Sequence, residues 1–401
     1  MHLRSYFVLV SNSVDGDIAV FHLDGSTGRM TLVERCPTGE VSMPMALTAD
    51  KQFVYAVTRG SVPELKKFSI DPHSGHLTHF QSAEINASLA YLSIDRAGRY
   101  LFGASYGEHL LNVYSINRID ASEGTPLQSI SGIEHAHAAI VSTDDRFVYA
   151  TSLGGDIIVC LEIRSDNSGA PLVPFDHVAL DKGFGPRHLR FSPTGEFLYV
   201  LSEFRATVAV FRRSQNGRLS LQSVSPRAAP LSNLDDGWAR PSLSNPVQPD
   251  PKTLLSLVWA ADIQIRPDGR FVYVSERTSS RLLIFRVAAD GASLQYAGCI
   301  STEAQPRGFK IDPTGTFLVA CGEKSSQLSV YGIDADSGEL SLLSRHEGGR
   351  GANWIEIVEQ REITKPAAAL QRAEIRRANA PSTDTYQYEP APILYHHDHN
   401  F

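Results

Sequence analysis

The chain has 401 residues, of which 42% are hydrophobic, and a net charge of −7 at pH 7. This length can bury a large core, either as two ordinary domains or as one long repeat domain. The acidic balance argues against a general nucleic-acid binder, because such a protein neutralises phosphates with a basic excess. No apolar stretch could span a bilayer, and the apolar run near the N-terminus is too short for a signal sequence. We therefore expect a cytoplasmic protein with no nucleic-acid or membrane partner.

The four cysteines are far apart in the sequence and form no C-x-x-C pair of the kind used by zinc or redox sites. They lie in or near predicted strands, where cysteine usually packs as a small buried apolar residue. We expect buried, unpaired thiols, in agreement with a reducing compartment. These residues are Cys36, Cys160, Cys299 and Cys321.

A strand–turn–strand unit, clearest at residues 185–203 (GPRHLRFSPTGEFLYVLSE), recurs along the chain. Aligned on Tyr199, its copies are spaced by 46, 47, 47, 50, 74 and 45 residues, at Leu9, Tyr55, Phe102, Tyr149, Tyr199, Tyr273 and Leu318. Most copies are followed by two further strand-like segments. Seven strand-rich copies with this period predict an all-β fold, a seven-bladed β-propeller with four antiparallel strands in each blade.

The two ends of the chain complement each other. The N-terminus begins at the second strand of a blade, near Phe7, whereas residues 353–358 form a lone first strand at the far end of the repeats. A closed propeller avoids a free sheet edge by joining its last strand to its first blade. We predict that residues 353–358 complete the N-terminal blade and close the ring, so that residues 1–360 form the propeller.

Two segments depart from the repeat. The 74-residue spacing contains about 25 extra residues, near 225–256, which are rich in proline and polar residues and predict a loop on the face that carries Arg187 and Glu203. It is either a simple surface loop or a lid. Residues 361–401 predict a helical and irregular extension, with helix formers at 365–378. Its terminal sequence, HHDH at 396–399, is interpreted as a solvated tail rather than a metal site.

When the seven copies of the repeat are aligned, charged and polar residues that depart from the common pattern fall at one end of the inner hairpins. This end lies around the mouth of the central channel. A lone arginine there is commonly a surface charge or an inter-blade contact, but several guanidinium groups together suit a small anionic ligand. A histidine and a glutamate in the same place can move protons. Asp262 is either a turn cap or a ligand contact. The predicted mouth contains Arg59, Tyr106, His137, Arg187, Glu203, Arg277 and Arg307, with His135, His188 and Lys324 close by.

No G-x-S-x-G, H-E-x-x-H or Walker motif is present, which disfavours a serine nucleophile or a tightly bound zinc. Residues 185–203, the WAADI sequence at 259–263, PDGR at 267–270, RT at 277–278 and QPRGF at 305–309 closely resemble the seven-bladed propeller lactonases. That family includes propeller-type 6-phosphogluconolactonases and fungal carboxy-cis,cis-muconate cyclases. The resemblance covers roughly residues 5–360. It implies catalytic roles for His137, Arg187, Glu203 and Arg277, without a metal or organic cofactor.

Together these observations lead to the hypothesis of a lactonase that opens a sugar-acid lactone, such as 6-phosphogluconolactone or a related aldonolactone. Glu203 or His137 would deprotonate a water, and Arg187 and Arg277 would stabilise the oxyanion. The residues assigned to binding the small anionic substrate are Arg59, Tyr106, His188 and Arg307. A muconate-type cycloisomerase and a non-catalytic propeller that binds partner proteins are the alternatives. The sequence does not indicate the oligomeric state.

Overall fold

A computed structural model describes residues 4–164, 169–241 and 247–361 of the chain. The strands of these ranges form seven antiparallel sheets of four strands each. The first strands of neighbouring sheets contact one another in a closed circuit, so the sheets are the blades of a propeller around a central channel. The prediction of a seven-bladed β-propeller is confirmed.

The strands are numbered in chain order, and the blades follow the same order. Blade 1 contains β1 (Tyr6–Asn12), β2 (Asp17–Leu23), β3 (Met30–Pro37) and β28 (Ala352–Glu359). Blade 2 contains β4 (Val41–Leu47), β5 (Phe53–Arg59), β6 (Glu64–Ile70) and β7 (Leu77–Glu84). Blade 3 contains β8 (Tyr91–Ile94), β9 (Tyr100–Ser105), β10 (Leu110–Ser115) and β11 (Gln128–Ser131). Blade 4 contains β12 (Ala136–Val141), β13 (Phe147–Ser152), β14 (Ile157–Ile163) and β15 (Leu172–Ala179).

The remaining blades follow the same plan. Blade 5 contains β16 (Pro186–Phe191), β17 (Phe197–Ser202), β18 (Val208–Arg213) and β19 (Leu219–Val224). Blade 6 contains β20 (Ala260–Ile265), β21 (Phe271–Glu276), β22 (Arg281–Val287) and β23 (Leu294–Ser301). Blade 7 contains β24 (Pro306–Ile311), β25 (Phe317–Gly322), β26 (Gln327–Ile333) and β27 (Leu340–Glu347). Two short α-helices, α1 (Ile116–Asp120) and α2 (Pro251–Leu254), and a 3₁₀ turn (Ala229–Leu231) lie in connections.

The last strand closes the ring. β28 pairs antiparallel with β1, from Tyr6 opposite Glu359 to Asn12 opposite Ala352. Its side chains Ile355 and Ile357 are buried in the apolar cluster shared by blades 1 and 7. Closure by the C-terminal strand, as predicted, gives blade 1 its innermost strand and joins it to blade 7, which precedes that strand in the chain.

The repeated tyrosines explain why the sequence period is so clear. Tyr149, Tyr199 and Tyr273 are buried in their own blades, yet each hydroxyl donates to a glycine carbonyl oxygen in the next blade, at 2.6, 3.0 and 2.8 Å. A buried tyrosine needs a partner for its hydroxyl, so the residue fills the core and fixes the neighbouring blade at once. Each interface between adjacent blades also contains an apolar cluster of its own.

The cysteine prediction is half right. All four thiols are unpaired, and Cys160 and Cys321 are buried, but Cys36 and Cys299 are partly exposed. These two lie on the outer strands β3 and β23, where alternate side chains face solvent. The predicted helix at 365–378 and the HHDH sequence at 396–399 lie outside the described residues. No helix in the described ranges is long and apolar enough to cross a membrane.

Candidate active site

A cavity of about 410 Å³ opens at the mouth of the channel. Seven of the residues predicted for this mouth line it, together with residues of the 225–256 insertion. The lining comprises Arg59, Ala90, Tyr106, His137, Arg187, Glu203, Phe204, Arg240, Pro241, Gln248, Pro249, Leu254, Arg277 and Arg307. In the described ranges, no three His, Cys, Asp or Glu side chains are placed to hold a metal ion.

Three of the side chains that line the cavity lie in β-bulges of the inner strands. In β16 the pairing with β17 is interrupted between Pro186 and Leu189, so Arg187 lies in the irregular segment. His137 of β12 and Arg307 of β24 lie in equivalent irregularities. A bulge turns one side chain away from the regular alternation and is a common way to aim a residue at a site. The same local feature of three blades therefore directs three candidate site residues into the cavity.

Glu203 joins two of the arginines. It follows the end of β17, and its carboxylate accepts a hydrogen bond from Arg277 Nη2 while its Oε2 lies 3.2 Å from Arg187 Nε. Burial alone would raise the pKa of Glu203, but the charges of Arg277 and Arg187 outweigh it and hold that pKa below its ordinary value. Glu203 is therefore an anion at neutral pH, and it fixes the directions of both guanidinium groups.

A chain of hydrogen bonds supports Arg187 from behind. The Arg187 Nη1 group donates to the carbonyl oxygen of Ala261 and to His188 Nε2, which is 3.2 Å away. His188 Nδ1 donates to Asp262 Oδ1 at 2.8 Å. The Arg187 side chain is almost completely buried, and burial lowers its pKa to about 9, so it remains a cation at neutral pH. Asp262 thus acts on Arg187 through His188.

One ring nitrogen of His137 has no hydrogen-bond partner among the described residues. Its Nδ1 atom is buried and has no hydrogen-bond partner in the described structure. Burial, aided by the charge of Arg187, lowers the pKa of His137 well below 6.5, so its imidazole is neutral at physiological pH. Buried polar atoms nearly always have a partner, so this nitrogen marks a position for a water or a substrate atom.

Arg59 and Arg307 belong to blades 2 and 7 and are hydrogen-bonded to groups other than Glu203. Arg307 Nη1 donates to Glu323 Oε1 at 2.8 Å, and Arg59 Nη2 donates to the carbonyl oxygen of Leu89 at 3.0 Å. Burial lowers the pKa of Arg59 to about 10, with a further lowering by Arg307. Both guanidinium groups are positioned by the protein and are cationic at neutral pH.

His188 is the predicted binding residue that does not line the cavity. It lies behind Arg187, with its ring 5.1 Å from that of Tyr91 and 5.8 Å from that of Trp354. Lys324 and His135 are also absent from the lining, although the His135 ring stacks on Tyr106 at 4.3 Å. The bulge separates the directions of Arg187 and His188, so adjacent residues in the sequence have different surroundings.

Repeat stacking could not identify Arg240, which lies in the insertion and has no equivalent in other blades. Its guanidinium carbon lies 4.1 Å from the ring centroid of Trp259. The available signal was the prediction that the insertion lies over this face. Asp262, whose role the sequence left open, contacts His188 rather than the cavity.

Comparison with known proteins agrees with this fold. A family model described as "Lactonase, 7-bladed beta-propeller" matches residues 4–357. A 6-phosphogluconolactonase of Pectobacterium carotovorum is 33% identical over 351 residues, spanning 88% of this chain and 98% of that protein. One from Cronobacter sakazakii is 32% identical over 334 residues, spanning 82% and 92% respectively.

Solved structures show the same architecture. A periplasmic gluconolactonase of Pseudomonas aeruginosa is 25% identical, with a TM-score of 0.75 over 89% of this chain and 100% of that one. A putative 6-phosphogluconolactonase of Bacteroides fragilis, 22% identical, superposes with a TM-score of 0.75 over 88% of this chain and 98% of that one, which shows the shared fold. The sequence matches span nearly the whole propeller, including the strands that build the cavity. The chain therefore belongs to the seven-bladed β-propeller lactonase family.

Proposed function

We propose that the protein hydrolyses the lactone of an anionic sugar acid, such as 6-phosphogluconolactone or a related aldonolactone. The observation that carries this proposal is a cavity in which five arginines and one carboxylate surround a neutral histidine with an unsatisfied nitrogen. Its excess of positive charge suits an anionic substrate, and the names of the relatives point to phosphorylated and unphosphorylated gluconolactones.

We assign His137, rather than Glu203, as the general base. Glu203 is engaged by two arginines, which lower its pKa and make it a weak proton acceptor. His137 is neutral, lines the cavity and has an unpaired ring nitrogen that can accept a proton from water. Its lowered pKa limits its basicity, so the water must also be activated by its position against the lactone carbonyl.

The reaction follows from these assignments. The water oxygen attacks the lactone carbonyl carbon as its proton passes to His137. Arg187 and Arg277, held apart by Glu203, donate hydrogen bonds to the oxyanion that forms. When the intermediate collapses, the bond between the carbonyl carbon and the ring oxygen breaks, and the imidazolium returns the proton to that oxygen. The products are a hydroxyl group and a carboxylic acid, which releases its proton to solvent and becomes the carboxylate. Arg59 and Arg307 face the other end of the substrate.

The test is hydrolysis of a panel of phosphorylated, acidic and neutral aldonolactones, followed in a pH-stat and repeated in heavy-oxygen water. We expect acid release with incorporation of one solvent oxygen into the product carboxylate. Isomerisation without solvent oxygen would instead support a muconate-type cycloisomerase. An intact protein that changes none of these lactones would contradict the proposal.

The cytoplasm is the proposed location. The four unpaired cysteines support it, because thiols persist in a reducing compartment. A structural relative is described as periplasmic, so the two compartments must be compared directly. Cell fractionation with markers for each compartment would decide, and recovery outside the cytoplasm would overturn this assignment.

A further inference from the structure

The insertion is built into the propeller rather than loosely attached. Asp236 forms ion pairs with Arg205 at 3.2 Å and Arg227 at 2.8 Å. The backbone N–H of Gly237 donates to the carbonyl oxygen of Phe204 at 2.9 Å, and Asp235 forms an isolated parallel bridge with Leu257. The segment leading to Arg240 is thus anchored on blade 5 by both charged and backbone contacts.

An apolar cluster extends this anchorage over the mouth. Its centre consists of four buried residues, Leu153, Phe204, Leu257 and Trp259. Two residues of the insertion, Ala239 and Leu254, pack against this centre. Tyr106 of blade 3 packs there as well, and its hydroxyl donates to the backbone carbonyl oxygen of Arg240 at 2.7 Å. The insertion therefore crosses from blades 5 and 6 to blade 3, and Arg240 lies at the far end of that crossing.

The Arg240 side chain is held by stacking rather than by an ion pair. Its guanidinium covers the indole of Trp259, and in the described part of the chain no carboxylate lies within ion-pair distance of it. Stacking fixes the plane of a guanidinium while leaving its edge able to donate two parallel hydrogen bonds. By contrast, Arg187 and Arg277 are bound to Glu203, and Arg307 is bound to Glu323.

The charges around the cavity define what Arg240 would bind. Five arginines line it, whereas Glu203 and Glu323 are the carboxylates paired with them in the described structure. Within the described ranges, Arg59 and Arg240 have no carboxylate partner, and the five arginines exceed the two carboxylates by three positive charges. A phosphate monoester carries nearly two negative charges at neutral pH and offers three acceptor oxygens, so it matches this excess better than a single carboxylate.

We infer that Arg240 is a specificity-determining residue that binds the phosphate of a phosphorylated lactone. This inference rests on the proposed lactonase function and adds to it the group that distinguishes phosphorylated from neutral substrates. The lactone ring contacts Arg187, Arg277 and His137, as for any lactone, and the insertion provides the contact to the phosphate. Neutral lactones lack the group that Arg240 binds.

The experiment measures kcat and KM for 6-phosphogluconolactone and for gluconolactone in three proteins. These are the wild type, Arg240→Met, which keeps an apolar chain over Trp259, and Lys252→Met as the matched control. Lys252 is an exposed cation of the same insertion and lies outside the cavity. For Arg240→Met we expect a loss of about 10- to 100-fold in kcat/KM with the phosphorylated lactone, mainly through KM, because a charge-assisted hydrogen bond is lost. The kcat/KM for gluconolactone should fall far less than that for the phosphorylated lactone, and Lys252→Met should match the wild type on both substrates.

A binding measurement separates this inference from the lactonase assignment. Inorganic phosphate is titrated into each protein by calorimetry, with Arg240→Lys as a further variant and thermal unfolding as the check on folding. We expect Arg240→Met to weaken phosphate binding and Arg240→Lys to restore part of it, even if no lactone is turned over. Equal losses on both lactones, or unchanged phosphate binding in Arg240→Met, would overturn the inference. Failure of the wild type to hydrolyse any lactone would count against the proposed function alone.

Discussion

Replacing Arg187 by lysine tests the oxyanion assignment without removing a charge. The guanidinium of Arg187 reaches the carbonyl oxygen of Ala261, His188 Nε2 and the carboxylate of Glu203 at the same time. An ammonium group is a point charge on a flexible chain and cannot hold that fork geometry. Lysine at this position can keep Glu203 paired, but it cannot also direct a donor at the lactone oxyanion.

The contacts set the expected size of the effect. Losing one preorganised oxyanion donor lowers kcat by about 100- to 1,000-fold. The free energy of unfolding should fall by about 2 kcal/mol, because the carbonyl oxygen of Ala261 and His188 Nε2 each lose a hydrogen bond. Glu203 keeps a cationic partner. KM should change far less than kcat, since the oxyanion exists only in the transition state.

The assay is pH-stat hydrolysis of 6-phosphogluconolactone, with urea unfolding measured on the same preparations. Arg212→Lys is the control, because Arg212 lies on the same blade, is exposed and pairs with Glu196 at the surface. It should behave as the wild type does. A kcat for Arg187→Lys equal to that of the control, in a folded protein, would refute the role of Arg187 in stabilising the oxyanion.

Three further predictions concern the surroundings of the site and the ring. Asp262→Asn should lower kcat about 10- to 100-fold with little change in KM, because a neutral amide holds His188, and through it Arg187, less firmly than the carboxylate does. The melting temperature should also fall, since Asp262 forms an ion pair with Arg190; a parallel rise in KM would indicate a general structural effect. Burial and the charge of Arg187 lower the pKa of His188 to about 3, and they also lower the pKa of His137. Below pH 6.5 the unfolded chain therefore binds more protons than the folded chain does. The free energy of unfolding should therefore fall as the pH falls from 6.5 towards 3, and His188 alone should account for roughly 1.4 kcal/mol per pH unit. Urea unfolding at pH 7, 6 and 5 measures this decline. Its absence would contradict the burial of neutral histidines. Ile355→Ala in the closing strand should lower the free energy of unfolding by about 2–5 kcal/mol, and an unchanged urea midpoint would show that the packing of Ile355 against blade 7 does not stabilise the fold.

The repeat in the sequence was sufficient to predict the propeller because each blade carries its own copy of the folding information. Tyr149, Tyr199 and Tyr273 fill equivalent core positions and bond to the next blade, so their spacing records the geometry of the ring. Closure could be predicted for the same reason, since a missing first strand at one end matched a surplus strand at the other. Local patterns of this kind survive in a single sequence.

Equivalent positions of the blades meet on one face, so most of the residues around the mouth could also be predicted from the repeat. The contacts that each of them makes depend on the fold. Arg187 and His188 are neighbours in one bulge, yet one lines the cavity and the other contacts Asp262, and that choice depends on backbone direction rather than residue type. Arg240 lies in a segment without repeats, so its position over Trp259 follows from long-range packing and one hydrogen bond from Tyr106.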